Sequence, residues 1–203
     1  MVVGLQAQAA APIRGETDER YDELFKKYGK RFFGPGFDWR LFKAQAMAES
    51  NLSPQARSRC GARGIMQLMP TTFGEIRSRN PDLQSIDDPE FNIAAGICYD
   101  RALWRLWTEH PTDKDRLSFM LGSYNAGRGP LLRAQGTARE RNLDQRTWSS
   151  ITQVAAAVRG WRYQETLGYV DRIDALLCSL TGTAQPTRGS NSMPRVGGSG
   201  KVK

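Results

Sequence analysis

The chain has 203 residues, of which 39% are hydrophobic, and it carries 29 basic against 21 acidic residues for a net charge of +8. A chain of this length can bury most of its apolar surface without disulfide support, and it contains no run of eighteen apolar residues that could span a membrane. The basic residues are dispersed among acidic ones rather than gathered into a stripe with interleaved aromatics, which argues against nucleic acid as a partner.

Both ends differ in composition from the middle. Residues 1–17 begin with MVVGLQAQAAA, which lacks a basic front and is too short for a signal peptide. We expect either a flexible arm or the remnant of a signal or anchor segment there. Residues 182–203 are rich in Gly, Ser and Pro, and we expect a disordered basic tail. The four cations of this tail leave 25 basic against 21 acidic residues, or +4, for the remaining chain. From the length of the chain, we expect a single domain over residues 18–181.

Apolar residues recur at helical spacing through most of this domain. A proline-containing cap at Asp88-Pro89-Glu90 starts one helix, and a capping box formed by Thr112 and Asp115 starts another, which carries Tyr124 on its core side. The other predicted helices span 18–30, 38–49, 70–79, 148–158 and 164–180. Strand alternation is scarce, so the fold class is mainly α.

Glu49 falls on the apolar face of the predicted helix 38–49, in line with Phe42 and Ala46. A carboxyl group held against apolar neighbours resists ionisation, so its pKa rises and it can hold a proton near neutral pH. That property suits a general acid acting on a glycosidic oxygen. The alternative is a helix-end carboxylate satisfied by local hydrogen bonds.

The segment after Glu49 reads as a loop that approaches other groups closely. Pro54 disfavours helix for the residue before it, and Gly61 and Gly64 allow close backbone approach. Gln67 lies among apolar residues, where a buried amide needs partners. Either a sugar hydroxyl or acetamido group supplies them, or the backbone does.

These segments together resemble the lytic transglycosylase SLT domain of the goose-type lysozyme superfamily. The family pattern is E-S, then S-x-x-G-x-x-G-x-M-Q-x-M-P, then A-Y-N-A-G, and later E-T-x-x-Y-V. The chain matches it at Glu49-Ser50, from Ser58 to Pro70, in SYNAG at 123–127 and in ETLGYV at 165–170. Ser123 stands where the family usually has Ala. The resemblance covers about residues 20–180 and implies a lysozyme-like fold of two helical lobes around a substrate groove.

The resemblance also implies a role for each matched residue. Glu49 would be the sole catalytic acid and base, and Tyr124 would hydrogen-bond to it and orient it. Tyr169 would lie near the carboxylate, and Glu165 in the groove wall. The remaining positions, which would shape the muramic-acid subsites, are Ser58, Gln67, Met69 and Asn125.

The implied substrate is the glycan strand of peptidoglycan. In this family the acetamido group of N-acetylmuramic acid assists the reaction and its C6 hydroxyl attacks C1, which leaves a 1,6-anhydro end without a second carboxylate. A hydrolysing goose-type or phage lysozyme and a non-catalytic peptidoglycan-binding protein are the alternatives. We expect a monomer that acts in the periplasm or cell wall, whether the source is a bacterium or a phage.

No metal and no cofactor are expected. Cys60, Cys98 and Cys178 form no C-x-x-C pair and no cluster with His110, and we expect all three to be reduced. An odd number of cysteines leaves one disulfide open as the alternative.

Overall fold

The computed structural model describes residues 18–182, and the sequence predictions for 1–17 and 183–203 lie outside this part of the chain. Eight α-helices and one short 3₁₀-helix account for most of it. The α-helices are α1 (Asp22–Phe33), α2 (Arg40–Ser50), α3 (Pro70–Arg79), α4 (Pro89–Leu106), α5 (Asp113–Ala126), α6 (Arg128–Glu140), α7 (Trp148–Val154) and α8 (Tyr163–Thr181), and the 3₁₀-helix is Ala155–Ala157. Within 18–182 the β-structure is limited to isolated bridges at Arg57, Arg63 and Leu68. The predicted mainly α fold class is confirmed.

Local signals in the sequence set several helix ends. The Asp88 carboxylate accepts hydrogen bonds from the backbone N–H of Glu90 at 2.8 Å and of Phe91 at 3.2 Å, and Pro89 occupies the first turn of α4. Thr112 Oγ1 accepts from the Asp115 N–H at 3.0 Å and so begins α5. The same Asp115 accepts from the Trp148 N–H at 2.8 Å, which ties the start of α7 to the start of α5.

Three helix predictions need correction. Helix α6 was not predicted, although Leu131, Ala134 and Ala138 form its fully buried stripe. Helix α1 begins four residues later than expected and continues to Phe33, because the chain meets no helix-ending residue before Gly34, whose φ is 95°. The predicted helix 148–158 changes to a 3₁₀ turn after Val154.

The buried apolar residues form two clusters. The larger cluster combines side chains of α1 to α5 and α8 with Leu52, Ile65, Met66 and Leu68 of the loop after α2. The smaller one joins Trp107 and Phe119 to the buried faces of α6 and α7 and to Val158 and Trp161. Helix α5 contributes to both, because Met120 faces the larger cluster and the adjacent Phe119 the smaller one. No helix in the described range is long and apolar enough to cross a membrane.

Candidate active site

Glu49 lies in the last turn of α2 and is 9% exposed. The Tyr169 hydroxyl on α8 donates a hydrogen bond of 2.6 Å to its Oε1 atom. Helix α2 packs along α8 at the larger cluster, so α2 supplies the carboxyl group and α8 supplies the hydroxyl that donates to it. The inward orientation predicted for Glu49 is therefore confirmed.

Burial has the largest effect on the pKa of Glu49. It raises the pKa of the carboxyl group from 4.5 to about 7, while the Tyr169 hydrogen bond and the charge of Arg172 oppose the rise. A carboxyl group with this pKa is partly protonated at neutral pH and can both donate and accept a proton there. The environment predicted from the apolar stripe of α2 is present.

The hydrogen bond expected from Tyr124 to Glu49 is wrong. The Tyr124 hydroxyl is buried and donates instead to the backbone carbonyl of Met66 at 2.7 Å. The ring is also packed against Tyr99, with the centroids 5.3 Å apart. Tyr124 therefore holds the loop after α2, and Tyr169 is the tyrosine that contacts the carboxylate.

The loop between α2 and α3 is fastened to helices on several sides. Ser50 Oγ donates to the Ile65 carbonyl at 2.8 Å, directly after Glu49 in the chain. On the other side, Asn92 of α4 accepts from the Met66 N–H at 2.8 Å and donates to the carbonyls of Arg63 and Ile86. The position of this loop relative to Glu49 is thus set by backbone groups.

Two glycines allow the loop to approach α4 closely. Gly64 has φ of 75°, and a Cβ atom there would lie 2.5 Å from Asn92 Nδ2. Gly96 on α4 faces Met66, whose Cβ and Cγ atoms would lie 2.7 Å from an added Cβ. The close approach predicted for Gly61 and Gly64 is therefore present at Gly64, whose partner is the side chain of Asn92, but not at Gly61, where nothing lies within 4 Å of an added Cβ.

Gln67 is buried and adopts a left-handed backbone conformation with φ of 46°, which is uncommon for a non-glycine residue. Its Nε2 atom donates to the carbonyls of Gly64 at 2.9 Å and Ala56 at 3.2 Å. Its Oε1 atom has no hydrogen-bond partner among the described residues. The backbone therefore satisfies the donor end of the amide, and the acceptor end stays open.

Within residues 18–182, none of the other predicted subsite residues forms a hydrogen bond to Glu49. Ser58 Oγ accepts from the Ala62 N–H at 2.9 Å and shapes the loop, and Met69 directly precedes α3. Asn125 is 7% exposed and follows Tyr124 on α5. Glu165 lies one turn before Tyr169 on α8 and pairs with Arg162 at 3.2 Å.

Sequence reasoning missed three residues near Glu49. Gln45 of α2 and Asp100 of α4 are fully buried and hydrogen-bonded to each other, and Arg172 of α8 is exposed with its charge near Glu49. A usable signal existed for Gln45, because it is polar and lies one helical turn before Glu49 on the same face. For Asp100, the signal was a carboxylate at helical spacing from the apolar residues Ile97, Leu103 and Trp104.

The residues that could bind a metal are dispersed. Among residues 18–182, no group of three or more His, Cys, Asp or Glu side chains is placed to hold an ion. Cys60 is exposed, Cys98 and Cys178 are partly buried, and all three are free thiols. His110 lies beside Phe119 and makes a 2.6 Å contact from Nδ1 to the Arg146 carbonyl, away from Glu49.

Comparison with known proteins identifies similar domains. Residues 24–146 match the family model of the transglycosylase SLT domain. The chain is 30% identical over 177 residues to membrane-bound lytic murein transglycosylase F of Photobacterium profundum, and 33% identical over 152 residues to the protein of the same name from Desulfosudis oleivorans. These alignments cover 82% and 74% of this chain but 32% of each relative, so the chain spans about a third of the length of these curated relatives.

The fold is similar to that of a solved structure, the 70 kDa soluble lytic transglycosylase from Escherichia coli. The two superpose with a TM-score of 0.63 over 81% of this chain and 25% of the other, at 24% sequence identity. The lysozyme-like fold predicted from the motifs is thereby confirmed.

Proposed function

This chain belongs to the transglycosylase SLT domain family, and we propose that it is a peptidoglycan lytic transglycosylase. It cleaves the β-1,4 bond between N-acetylmuramic acid and N-acetylglucosamine and leaves 1,6-anhydro ends. The observation that carries the proposal is Glu49, a buried carboxyl group with a pKa of about 7 and a tyrosine hydroxyl 2.6 Å from it.

Glu49 acts twice in the reaction. In its protonated form it gives its proton to the glycosidic oxygen as the bond to C1 of N-acetylmuramic acid breaks. The carboxylate that results accepts the Tyr169 hydrogen bond and lies near the Arg172 charge, both of which favour the ionised form. It then takes the proton of the C6 hydroxyl as that oxygen bonds to C1, which restores the acid and consumes no water.

The scarcity of other carboxylates around Glu49 supports intramolecular attack over a two-carboxylate mechanism. Asp100 interacts electrostatically with Glu49, but it is fully buried and bonded to Gln45, so it cannot meet a sugar ring. Glu165 lies on the adjacent turn of α8 and is paired with Arg162. A glycosidase with two carboxyl groups would need both of them to flank the scissile bond.

The predicted subsite residues keep their proposed roles in binding the glycan. The open acceptor atom of Gln67 suits an N–H or O–H donor of the sugar, once the loop yields enough to admit it. The other binding positions are Ser58, Met69, Asn125, Glu165 and Tyr169. Tyr124 remains part of the site, but it acts by holding the loop at Met66.

The partner that follows from this activity is peptidoglycan. The enzyme acts as a monomer in the periplasm or cell wall, where its substrate lies. A basic surface favours encounter with a wall whose stem peptides carry carboxylates. The relatives that carry the name of lytic murein transglycosylase support this assignment.

Product analysis tests the proposal. Purified peptidoglycan is reduced with borohydride, digested with the full chain, and the released muropeptides are analysed by mass spectrometry before and after a second reduction. We expect products lighter by one water than reducing-end products and unchanged by the second reduction. Products that take up hydride would instead identify a hydrolysing lysozyme.

Glu49→Gln is the matched control, because the amide is nearly isosteric but cannot donate the proton. Loss of general acid–base catalysis costs about a hundred- to ten-thousand-fold in rate. Binding to peptidoglycan without cleavage by the unmutated chain would favour a non-catalytic wall-binding protein.

A further inference from the structure

A second carboxyl group is buried beneath the candidate active site. Gln45 on α2 and Asp100 on α4 are both fully buried, and Gln45 Nε2 donates a 3.2 Å hydrogen bond to Asp100 Oδ1. Gln45 precedes Glu49 by four residues, so the two side chains occupy successive turns on one face of α2. The pair therefore joins α4 to the turn of α2 that carries Glu49.

The pairing leaves two acceptor atoms unused. Asp100 Oδ2 and Gln45 Oε1 have no hydrogen-bond partner in the described part of the chain. Two buried oxygen atoms that both lack a donor are costly. A proton on Asp100 Oδ2 removes both deficits, because the resulting O–H group can donate to Gln45 Oε1 while Gln45 Nε2 still donates to Oδ1.

The surroundings decide which of the two carboxyl groups carries a negative charge. Glu49 has a hydroxyl donor at 2.6 Å and the nearby Arg172 cation. Among residues 18–182, Asp100 accepts one longer bond, from the Gln45 amide, and its pKa is raised by burial and by the charge of Glu49. Three phenols in this range also interact with it: Tyr99 on its own helix, Tyr124 on α5 and Tyr169 on α8. Two like charges in one buried site are strongly disfavoured, so Glu49 ionises and Asp100 stays neutral.

We propose that Asp100 is a positioning residue that remains a neutral carboxylic acid throughout the reaction and, through Gln45, fixes the turn of α2 that presents Glu49. The inference rests on the proposed function for the role of Glu49. Asp100 touches no substrate and exchanges no proton. It leaves the single negative charge of the buried cluster to Glu49.

Infrared spectroscopy tests the protonation directly, without any measurement of activity. The full chain is compared with the same chain carrying Asp100→Asn, both in D₂O at pH 9, where Glu49 is ionised in each, and both checked for folding by circular dichroism. We expect the difference spectrum to show the C=O stretch of a protonated carboxylic acid that is lost with Asp100. A carboxylate band lost in its place would overturn the proposal.

The pH dependence of kcat/KM tests the positioning role. Asparagine offers the same donor and acceptor as a neutral acid, so Asp100→Asn should retain the alkaline limb of the wild-type profile and lose no more than a few-fold in kcat. Asp100→Leu leaves the Gln45 amide without partners and should lower kcat at least tenfold. If Asp100 is ionised in the wild type, Asp100→Asn removes a negative charge and moves the alkaline limb to lower pH, which contradicts the proposal.

The infrared band reports on the protonation of Asp100 and the release of muropeptides on the proposed function, so each can fail without the other. A chain that releases no muropeptides but shows the infrared band fails the proposed function and keeps a neutral Asp100. Should Asp100→Leu fail to fold, Gln45→Leu removes the same contact from the α2 side, and a kcat equal to that of the wild type in a folded Gln45→Leu variant overturns the positioning role.

Discussion

The pKa of Glu49 is set by burial and by two contacts that oppose its effect. Burial alone would favour the protonated acid, whereas the hydroxyl of Tyr169 and the charge of Arg172 favour the carboxylate. Burial prevails, but the opposing contacts keep the pKa near 7 rather than far above it. A group that must release and recover a proton in one reaction cycle works best near this value.

The raised pKa predicts a pH-dependent cost in stability. Between pH 4.5 and about 7, folded Glu49 retains a proton that the unfolded chain releases. The stabilising contribution is therefore complete below 4.5 and is lost as pH rises through 7, by roughly 3 kcal/mol in all. We expect Glu49→Gln to gain stability relative to the wild type over this interval, measured by urea unfolding at successive pH values.

The matched control for that measurement is Glu23→Gln in α1, since the Glu23 side chain is 86% exposed. The difference in unfolding free energy between this variant and the wild type should not grow between pH 5 and 8. A flat difference for Glu49→Gln over the same range would contradict the environment described for Glu49.

Tyr169→Phe separates the role of the hydroxyl from that of the ring. Without its donor the pKa of Glu49 rises further, because the hydrogen bond favours the ionised form. We expect the alkaline limb of kcat/KM to move to higher pH and kcat to fall by about ten- to a hundredfold, the effect of one hydrogen bond to a charged group.

Tyr124→Phe is the companion variant, since it loses a bond to the Met66 carbonyl and none to Glu49. Its alkaline limb should stay where the wild-type limb lies. If Tyr124→Phe moves that limb and Tyr169→Phe does not, the assignment of the two tyrosines is reversed.

The loop between α2 and α3 depends on its close contact with α4, and Gly64→Ala tests it. The added methyl group would meet the Asn92 amide at 2.5 Å in a residue with φ of 75°. Gly61→Ala is the control, because its φ is 90° but nothing lies within 4 Å of the added carbon.

Both substitutions carry the backbone cost of about 1 to 2 kcal/mol for a left-handed residue. The collision should therefore make Gly64→Ala less stable than Gly61→Ala by at least about 1 kcal/mol, as measured by urea unfolding. Equal stabilities would show that Asn92 moves aside without loss.

Sequence patterns were sufficient where the signal was local. The cap at Asp88, the capping box at Thr112 and the helix 70–79 were predicted at their observed positions, because each depends on residues within one turn. Helix α6 was missed since Gly129, Pro130 and Gly136 obscure a short buried stripe of Leu and Ala. A proline is tolerated in the first turn of a helix, where Pro130 lies, but helix propensity alone does not show that a helix begins at that point.

The errors at the site concern contacts between distant helices. Tyr124 and Tyr169 both face Glu49's surroundings, and only the packing of α2 against α8 and α5 decides which hydroxyl reaches the carboxylate. The pairing of Gln45 with Asp100 joins residues 55 positions apart. A periodic pattern indicates that such side chains face inward but not which neighbours they meet.

The arrangement of the helices places the site within the larger of the two apolar clusters. Glu49, Tyr124 and Tyr169 come from α2, α5 and α8, all of which contribute buried residues to that cluster. Helix α5 also reaches the smaller cluster through Phe119. Helix α5, which is shared by both clusters and carries Tyr124, therefore joins the smaller cluster to the larger one.

The net charge of the molecule should affect how strongly it binds peptidoglycan, its proposed partner. Of the charge of +8, four units come from Arg188, Arg195, Lys201 and Lys203. Basic residues attract a polyanionic wall over a distance set by salt, about 10 Å at 0.1 M ionic strength. Replacing these four residues with Gln keeps the length of the chain and halves its net charge.

Both proteins in the test carry Glu49→Gln, so that the wall stays intact. We expect the protein that also carries the four substitutions to sediment less with purified peptidoglycan than the protein of unchanged charge. The difference should be several-fold at low salt and should vanish by 1 M salt, where the screening length falls to about 3 Å. The unfolding curves of both proteins are recorded, so that a loss of folding is not taken for a loss of binding. Equal sedimentation at low salt would show that the glycan contacts at the site, rather than the basic residues after 182, account for binding to the wall.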